Sequence, residues 1–126
     1  MKLFNQETEK EIEEAKSLFI IVEGEKDKKS LLELGFKYIF IINETGKSIY
    51  EKIEEIEEIA GKKKICILTD FDKKGKQLYL LLKSELSKRK VKLDNSFRGI
   101  LLKLNISHIE GLSNFLRNHN ERTRKN

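Results

Sequence analysis

Three short, mainly apolar runs recur between charged segments with helical spacing, and this alternation constrains the fold more than any other feature. Leu18–Val22 reads Leu-Phe-Ile-Ile-Val, Tyr38–Ile42 reads Tyr-Ile-Phe-Ile-Ile, and Lys64–Thr69 reads Lys-Ile-Cys-Ile-Leu-Thr. A strand that is apolar on both faces has no solvent side, so it belongs inside a sheet covered above and below. The segments between have a different period. Ile49, Ile53, Ile56 and Ile59 recur at intervals of four, three and three, the stripe of an amphipathic helix that Gly61 ends. Lys26–Leu34 ends at Gly35, and Lys74–Lys88 carries Leu78, Leu81, Leu82 and Leu86 as an inward stripe. A first helix is expected over 6–16. A fourth strand is expected over Gly99–Leu104, and a last short helix over Leu112–Asn118. Repeated β-α units of this kind predict an α/β fold with a parallel sheet and right-handed crossovers.

Composition narrows the class. At 126 residues the chain has room for one domain, with a core over about 17–111, an N-terminal helix over 6–16 and a basic C-terminal tail over 117–126. Charged residues make up 37% of the chain, but the apolar residues are clustered, which argues against a disordered polymer. No apolar run approaches the roughly 20 residues of a membrane span, and the first residues lack the apolar stretch of a secretory signal. A single cysteine, Cys66, excludes an internal disulfide, and with two histidines it does not make a usual structural zinc site. The expected compartment is the cytoplasm, with no membrane partner.

Charge is unevenly spread. The net value is only +5, but Lys73–Lys92 holds eight Lys or Arg against Glu85 alone, whereas residues 1–16 are net negative. The positive segment directly follows an acidic motif, so it is either a solvated helix face or a surface for a polyanion.

The acids stand where a parallel sheet gathers its chemistry, at the carboxyl ends of strands. Glu23 follows the first strand, with Gly24 allowing a tight turn beside it and Asp27 at the start of the next helix. Asp70 and Asp72 follow the third strand, with Phe71 between them and Gly75 beyond. Residues i and i+2 of an extended chain point the same way, so Asp70 and Asp72 are candidates to face one ion. Three gathered carboxylates repel unless a cation neutralises them, and hard oxygen donors suit Mg²⁺ or Mn²⁺. Asp27 is read first as a helix cap, with assistance to a metal as the alternative. Lys73, Lys74 and Lys76 would hold a nucleic-acid backbone beside that ion, helped by the N–H groups of the helix they open, and Arg98 is a second candidate anchor.

Glu23-Gly24-x-x-Asp27 with Asp70-x-Asp72-x-x-Gly75 resembles the Toprim domain, the Rossmann-like module of topoisomerases, bacterial-type primases and several nucleases. The likeness is to small stand-alone Toprim proteins of archaea and bacteria and runs from about Leu18 to at least Ile106. Leu34-Gly35-Phe36-Lys37 and the Ile106–Glu110 stretch share it. It implies about four parallel strands flanked by helices. It also implies catalytic and metal-binding roles for Glu23, Asp70 and Asp72: a glutamate acting as general acid or base or helping to hold metal, and two aspartates coordinating Mg²⁺.

The expected activity is that of a nuclease on DNA or RNA. Open alternatives are a nucleic-acid-binding accessory protein that needs a protein partner for turnover, and a primase-type nucleotidyl transferase. Oligomeric state is not encoded legibly.

Other motifs carry less. Thr45-Gly46-Lys47-Ser48 resembles the end of a phosphate-binding loop, but the required first glycine falls at Ile41. His108 and His119 are isolated in sequence and are expected to be structural or exposed. Cys66 is expected in the core.

Overall fold

The computed structural model describes residues 6–44, 46–106 and 108–112. The elements run α1 (Gln6–Ala15), β1 (Phe19–Val22), α2 (Glu25–Glu33), β2 (Ile39–Ile41), α3 (Ile49–Ala60), β3 (Ile65–Ile67), α4 (Lys73–Ser87) and α5 (Ser96–Lys103), then a 3-10 turn (Ile109–Gly111). Among the described residues the sheet has three parallel strands in the order β2-β1-β3. β1 lies in the middle, with Ile20 opposite Ile39 on one side and opposite Cys66 on the other.

Because side chains alternate across a strand, β1 feeds two cores. Ile20 and Val22 join Cys66 and Leu68 in a layer completed by Ile12 and Ala15 of α1, Leu31 of α2, and Phe97 and Leu101 of α5. Phe19 and Ile21 join Ile65 and Ile67 in the opposite layer, against Ile53 and Ile56 of α3 and Leu82 and Leu86 of α4. The stripes read from sequence overreach at two positions. Ile59 and Leu81 are exposed, each at the margin of its helix face.

The expected fourth strand at Gly99–Leu104 is a helix instead, α5. Phe97, Ile100, Leu101 and Leu104 are buried, and their i, i+3, i+4, i+7 spacing is a helical stripe partly concealed by the short apolar run Ile100–Leu102. The fourth-strand position is taken earlier, by a single parallel bridge between Ile65 and Leu93. The Ile65 N–H donates to the Lys92 carbonyl at 2.8 Å, and the Asp94 N–H donates to the Ile65 carbonyl at 2.9 Å. Beyond it the Asn95 side chain replaces backbone, its Oδ1 accepting from the Ile67 N–H at 2.9 Å.

Chain reversals are set by left-handed residues. After α2, Gly35 has φ +96, the Gly35 N–H donates to the Leu32 carbonyl, and the Phe36 N–H donates to the Leu31 carbonyl. After α5, Asn105 has φ +59, with the Asn105 and Ile106 N–H groups donating to the Leu102 and Leu101 carbonyls. Both are Schellman-type ends, and asparagine tolerates the position better than other non-glycine residues. The second one turns the chain toward the 3-10 turn, which packs on α2. Ser48 caps α3, accepting from the Glu51 N–H at 3.2 Å, so the phosphate-loop-like Gly46-Lys47-Ser48 serves as a helix start. Most of the expected last helix (Leu112–Asn118), together with the 117–126 tail and His119, lies outside the described residues.

Cys66 is fully buried, and burial pushes its thiol pKa up to about 12. The thiolate is the reactive form, so Cys66 should be silent to thiol reagents at pH 8 and titrate fully once the chain is unfolded in guanidinium. Rapid labelling of the native protein would contradict this packing.

Candidate metal and nucleic-acid site

Parallel strands place their carboxyl ends on one edge, and β1 and β3 deliver the two acidic motifs there. The β1–β3 pairing continues past the strands, with the Leu68 N–H donating to the Ile21 carbonyl at 2.8 Å. One step further the backbones have separated, and the Glu23 side chain bridges the gap. Its Oε2 accepts from the Asp70 N–H at 2.7 Å. The Glu23 carbonyl meanwhile accepts from the Asn43 N–H at 3.1 Å, fixing its backbone from the β2 side. Residues 47 positions apart in sequence are thereby joined directly.

The loop between β3 and α4 is closed on itself. Asp72 is the N-cap of α4, its Oδ1 accepting from the Gly75 N–H at 2.7 Å. The buried Thr69 hydroxyl donates to the Gly75 carbonyl at 2.7 Å. Gly75 is pressed against Asp70, so closely that a Cβ there would lie 2.0 Å from the Asp70 carbonyl oxygen. The glycine in Asp-x-Asp-x-x-Gly is thus needed for close approach. Gly24 has no such constraint. Its φ is −146 and its ψ −177, extended backbone open to any residue, and a Cβ there would meet nothing within 4 Å. The tight-turn role expected for Gly24 is therefore not what the fold requires. That turn is held by the buried Asp27, whose Oδ2 accepts from the Gly24 N–H at 3.0 Å from the third position of α2.

Arg98 is buried on α5 and lies behind this loop. Its Nη1 donates to the Thr69 carbonyl at 2.6 Å, and its guanidinium is stacked between the rings of Phe71, at 4.5 Å, and Tyr79, at 4.2 Å. Burial draws its pKa below the ordinary guanidinium value, opposed by Tyr79, Cys66, Glu23 and Asp70. A guanidinium enclosed in this way supports backbone, a role distinct from the phosphate anchor expected for Arg98. Arg98→Met, which keeps the bulk and removes the donors, should cost about 2 kcal/mol in denaturant unfolding. Unchanged stability would contradict the support role.

Asp70 is held from a third direction. Its Oδ1 accepts from the Ile109 N–H at 3.2 Å, and its Oδ2 lies 3.8 Å from Nδ1 of His108. Asp70, Asp72 and His108 each offer a ligand atom, and the three atoms lie within 4.8 Å of one another. Two carboxylates and one imidazole gathered this closely form a group that could hold one divalent cation. Glu23 stands beside this group and braces Asp70 through the backbone. His108 is the member that sequence alone leaves aside. Its place becomes legible only once Asn105, at φ +59, turns the chain after α5 and His108 comes to lie 3.8 Å from Asp70.

Lys73, Lys74 and Lys76 are exposed on the first turn of α4, immediately after Asp72, and that turn carries no acid. A helix N-terminus capped by Asp72 but carrying lysines in place of acids in its first turn suits a polyanion bridged by a cation. No helix among the described residues is long and apolar enough to cross a membrane.

Comparison with known proteins agrees with this arrangement. The Toprim domain family matches residues 19–103, a range holding both acidic motifs and Arg98. UPF0292 protein MJ1624 of Methanocaldococcus jannaschii is 35% identical over 85 residues, which cover 68% of this chain and 65% of that relative's length. The match thus spans slightly less than two thirds of that protein. A solved structure of a protein from Aquifex aeolicus superposes with a TM-score of 0.67 at 34% identity, covering 80% of this chain and 91% of the other. Toprim domains serve metal-dependent, nucleic-acid-related functions, in keeping with an acidic ligand group beside exposed lysines. On the strength of the family match and the relatives, the chain belongs to the Toprim domain family.

Proposed function

We propose that this protein is a divalent-metal-dependent nuclease that hydrolyses phosphodiester bonds of DNA or RNA. The observation that carries the reading is the 2.7 Å bond from the Asp70 N–H to Glu23 Oε2, which ties a potential proton-transfer group to the backbone of the residue whose carboxylate would hold the cation. A Mg²⁺ or Mn²⁺ ion held by Asp70 and Asp72 would supply charge neutralisation at the non-bridging phosphate oxygens. Lys73, Lys74 and Lys76 hold the flanking backbone in register, and their contribution weakens as salt rises. Glu23 exchanges a proton with the 3′ oxygen of the scissile bond, from a position fixed by its own backbone bond to Asn43. Arg98 keeps the Thr69 and Asp70 carbonyls in place and touches no substrate.

The test uses purified full-length protein with labelled single- and double-stranded DNA and RNA, with and without millimolar Mg²⁺ or Mn²⁺. Cleavage that requires the cation and falls about 100-fold or more in Glu23→Gln is the expected result. Salt-sensitive binding without cleavage on any substrate would replace this reading with an accessory, partner-dependent role. Incorporation of labelled nucleotides would replace it with a nucleotidyl transferase.

A further inference from the structure

We infer that His108 is a third protein ligand of the cation site and biases it toward Mn²⁺-like transition ions over Mg²⁺. The inference rests on the proposed holding of a divalent cation by Asp70 and Asp72. Three features of the His108 segment support it. First, His108 Nδ1 and Asp70 Oδ2 are 3.8 Å apart, too far for a hydrogen bond. Two donors at roughly 2.1 Å from one ion stand roughly 3 to 4 Å from each other, so the spacing suits an ion between them. Second, Asp70 uses different oxygens for different tasks. Oδ1 is bound by the Ile109 N–H at 3.2 Å, and Oδ2 is the oxygen nearest the imidazole. The turn that bears His108 therefore also orients the carboxylate it faces. Third, the segment is anchored on both sides of the histidine. Ile106, Ile109 and Leu112 are buried, and Asn105 at φ +59 sets the approach. The His108 side chain itself is 55% exposed, so core packing does not account for its place beside two aspartates.

The chemical consequence follows from donor type. Mg²⁺ prefers oxygen and gains little from imidazole, whereas first-row transition ions accept nitrogen readily. A site of two aspartates alone would be an oxygen site. Adding one imidazole raises affinity for Mn²⁺ and its neighbours in the row while leaving Mg²⁺ nearly unchanged.

The experiment is electron spin-echo envelope modulation on untagged full-length protein loaded with Mn²⁺, with Kd for Mn²⁺ from the free-ion signal and Kd for Mg²⁺ by competition. Expected is one directly bound ¹⁴N in the wild type and in His119→Ala, absent in His108→Ala. His108→Ala should weaken Mn²⁺ binding at least tenfold and Mg²⁺ binding less than threefold, with an unchanged thermal melt. Mn²⁺ that binds the wild type, is lost in Asp70→Asn, and carries no ¹⁴N coupling would overturn the ligand role of His108 and leave the carboxylate site standing. Absence of Mn²⁺ binding to the wild type would overturn both.

Discussion

Gly75→Ala should destabilise the protein by about 4 kcal/mol and lower its melting temperature by roughly 15 °C. The cause is local and specific. The added methyl would sit 2.0 Å from the Asp70 carbonyl oxygen, and the neighbours it meets next, the Asp70 carbonyl carbon and Cα, are also backbone. No side chain can swing aside to make room. Relief requires the Asp70–Gly75 loop to open, which breaks the Thr69 hydroxyl bond to the Gly75 carbonyl and the Asp72 cap on the Gly75 N–H. The effect therefore reaches the site as well as the fold, and divalent-metal affinity should fall together with stability. Gly24→Ala is the internal control. Its Cβ meets nothing within 4 Å and its backbone is extended, so the change should stay within about 0.5 kcal/mol. Urea unfolding of the two variants side by side measures the contrast. Equal effects would mean that the tight packing of Gly75 on Asp70 is not what holds the loop.

Asp70→Asn carries the second large expectation, on chemistry. The amide keeps the size of the side chain and retains an Oδ1 that can accept from the Ile109 N–H, and the Asp70 N–H still reaches Glu23. The fold should persist, with a melting temperature within a few degrees of wild type. The variant removes a negative charge from the candidate ligand group of Asp70, Asp72 and His108. Calorimetric affinity for Mn²⁺ should fall by about 100-fold, and metal-dependent cleavage by 100- to 1,000-fold or about 3 to 4 kcal/mol of transition-state stabilisation. A folded Asp70→Asn protein with wild-type metal affinity would show that Asp70 serves only the backbone network.

The alternation of apolar runs with helical stripes made the parallel sheet legible, because burial on both faces leaves a signature that no half-exposed strand shares. β1 is buried at all four positions, and the carboxyl-end rule then brings Glu23 to Asp70 without further information. Gly99–Leu104 failed for the complementary reason. A short apolar run such as Ile100–Leu102 is ambiguous in period, and the packing of Phe97 and Leu101 on the Cys66 side of the sheet decides for the helix. The enclosure of Arg98 is not legible in the sequence, because charge there suggests exposure. Its two flanking rings, Phe71 and Tyr79, come from separate places in the chain, and a stack of that kind has no sequence pattern. His108 depends on a single left-handed asparagine three residues before it, a conformation that sequence favours without dictating. The acids themselves were legible because their position at strand ends is a topological consequence, whereas their division of labour is not. Glu23 braces, Asp72 caps, and Asp70 is held by Glu23 and by the Ile109 N–H; these are matters of ångström-scale geometry.

Anomalous diffraction from crystals of the full chain soaked in millimolar Mn²⁺ tests the convergence of the two motifs most directly. The expected map has a peak roughly 2.1 Å from a carboxylate oxygen of Asp70 and of Asp72, with Glu23 Oε2 still on the Asp70 N–H. A map with no peak at that edge, or with Glu23 turned away from the Asp70 loop, would contradict the site.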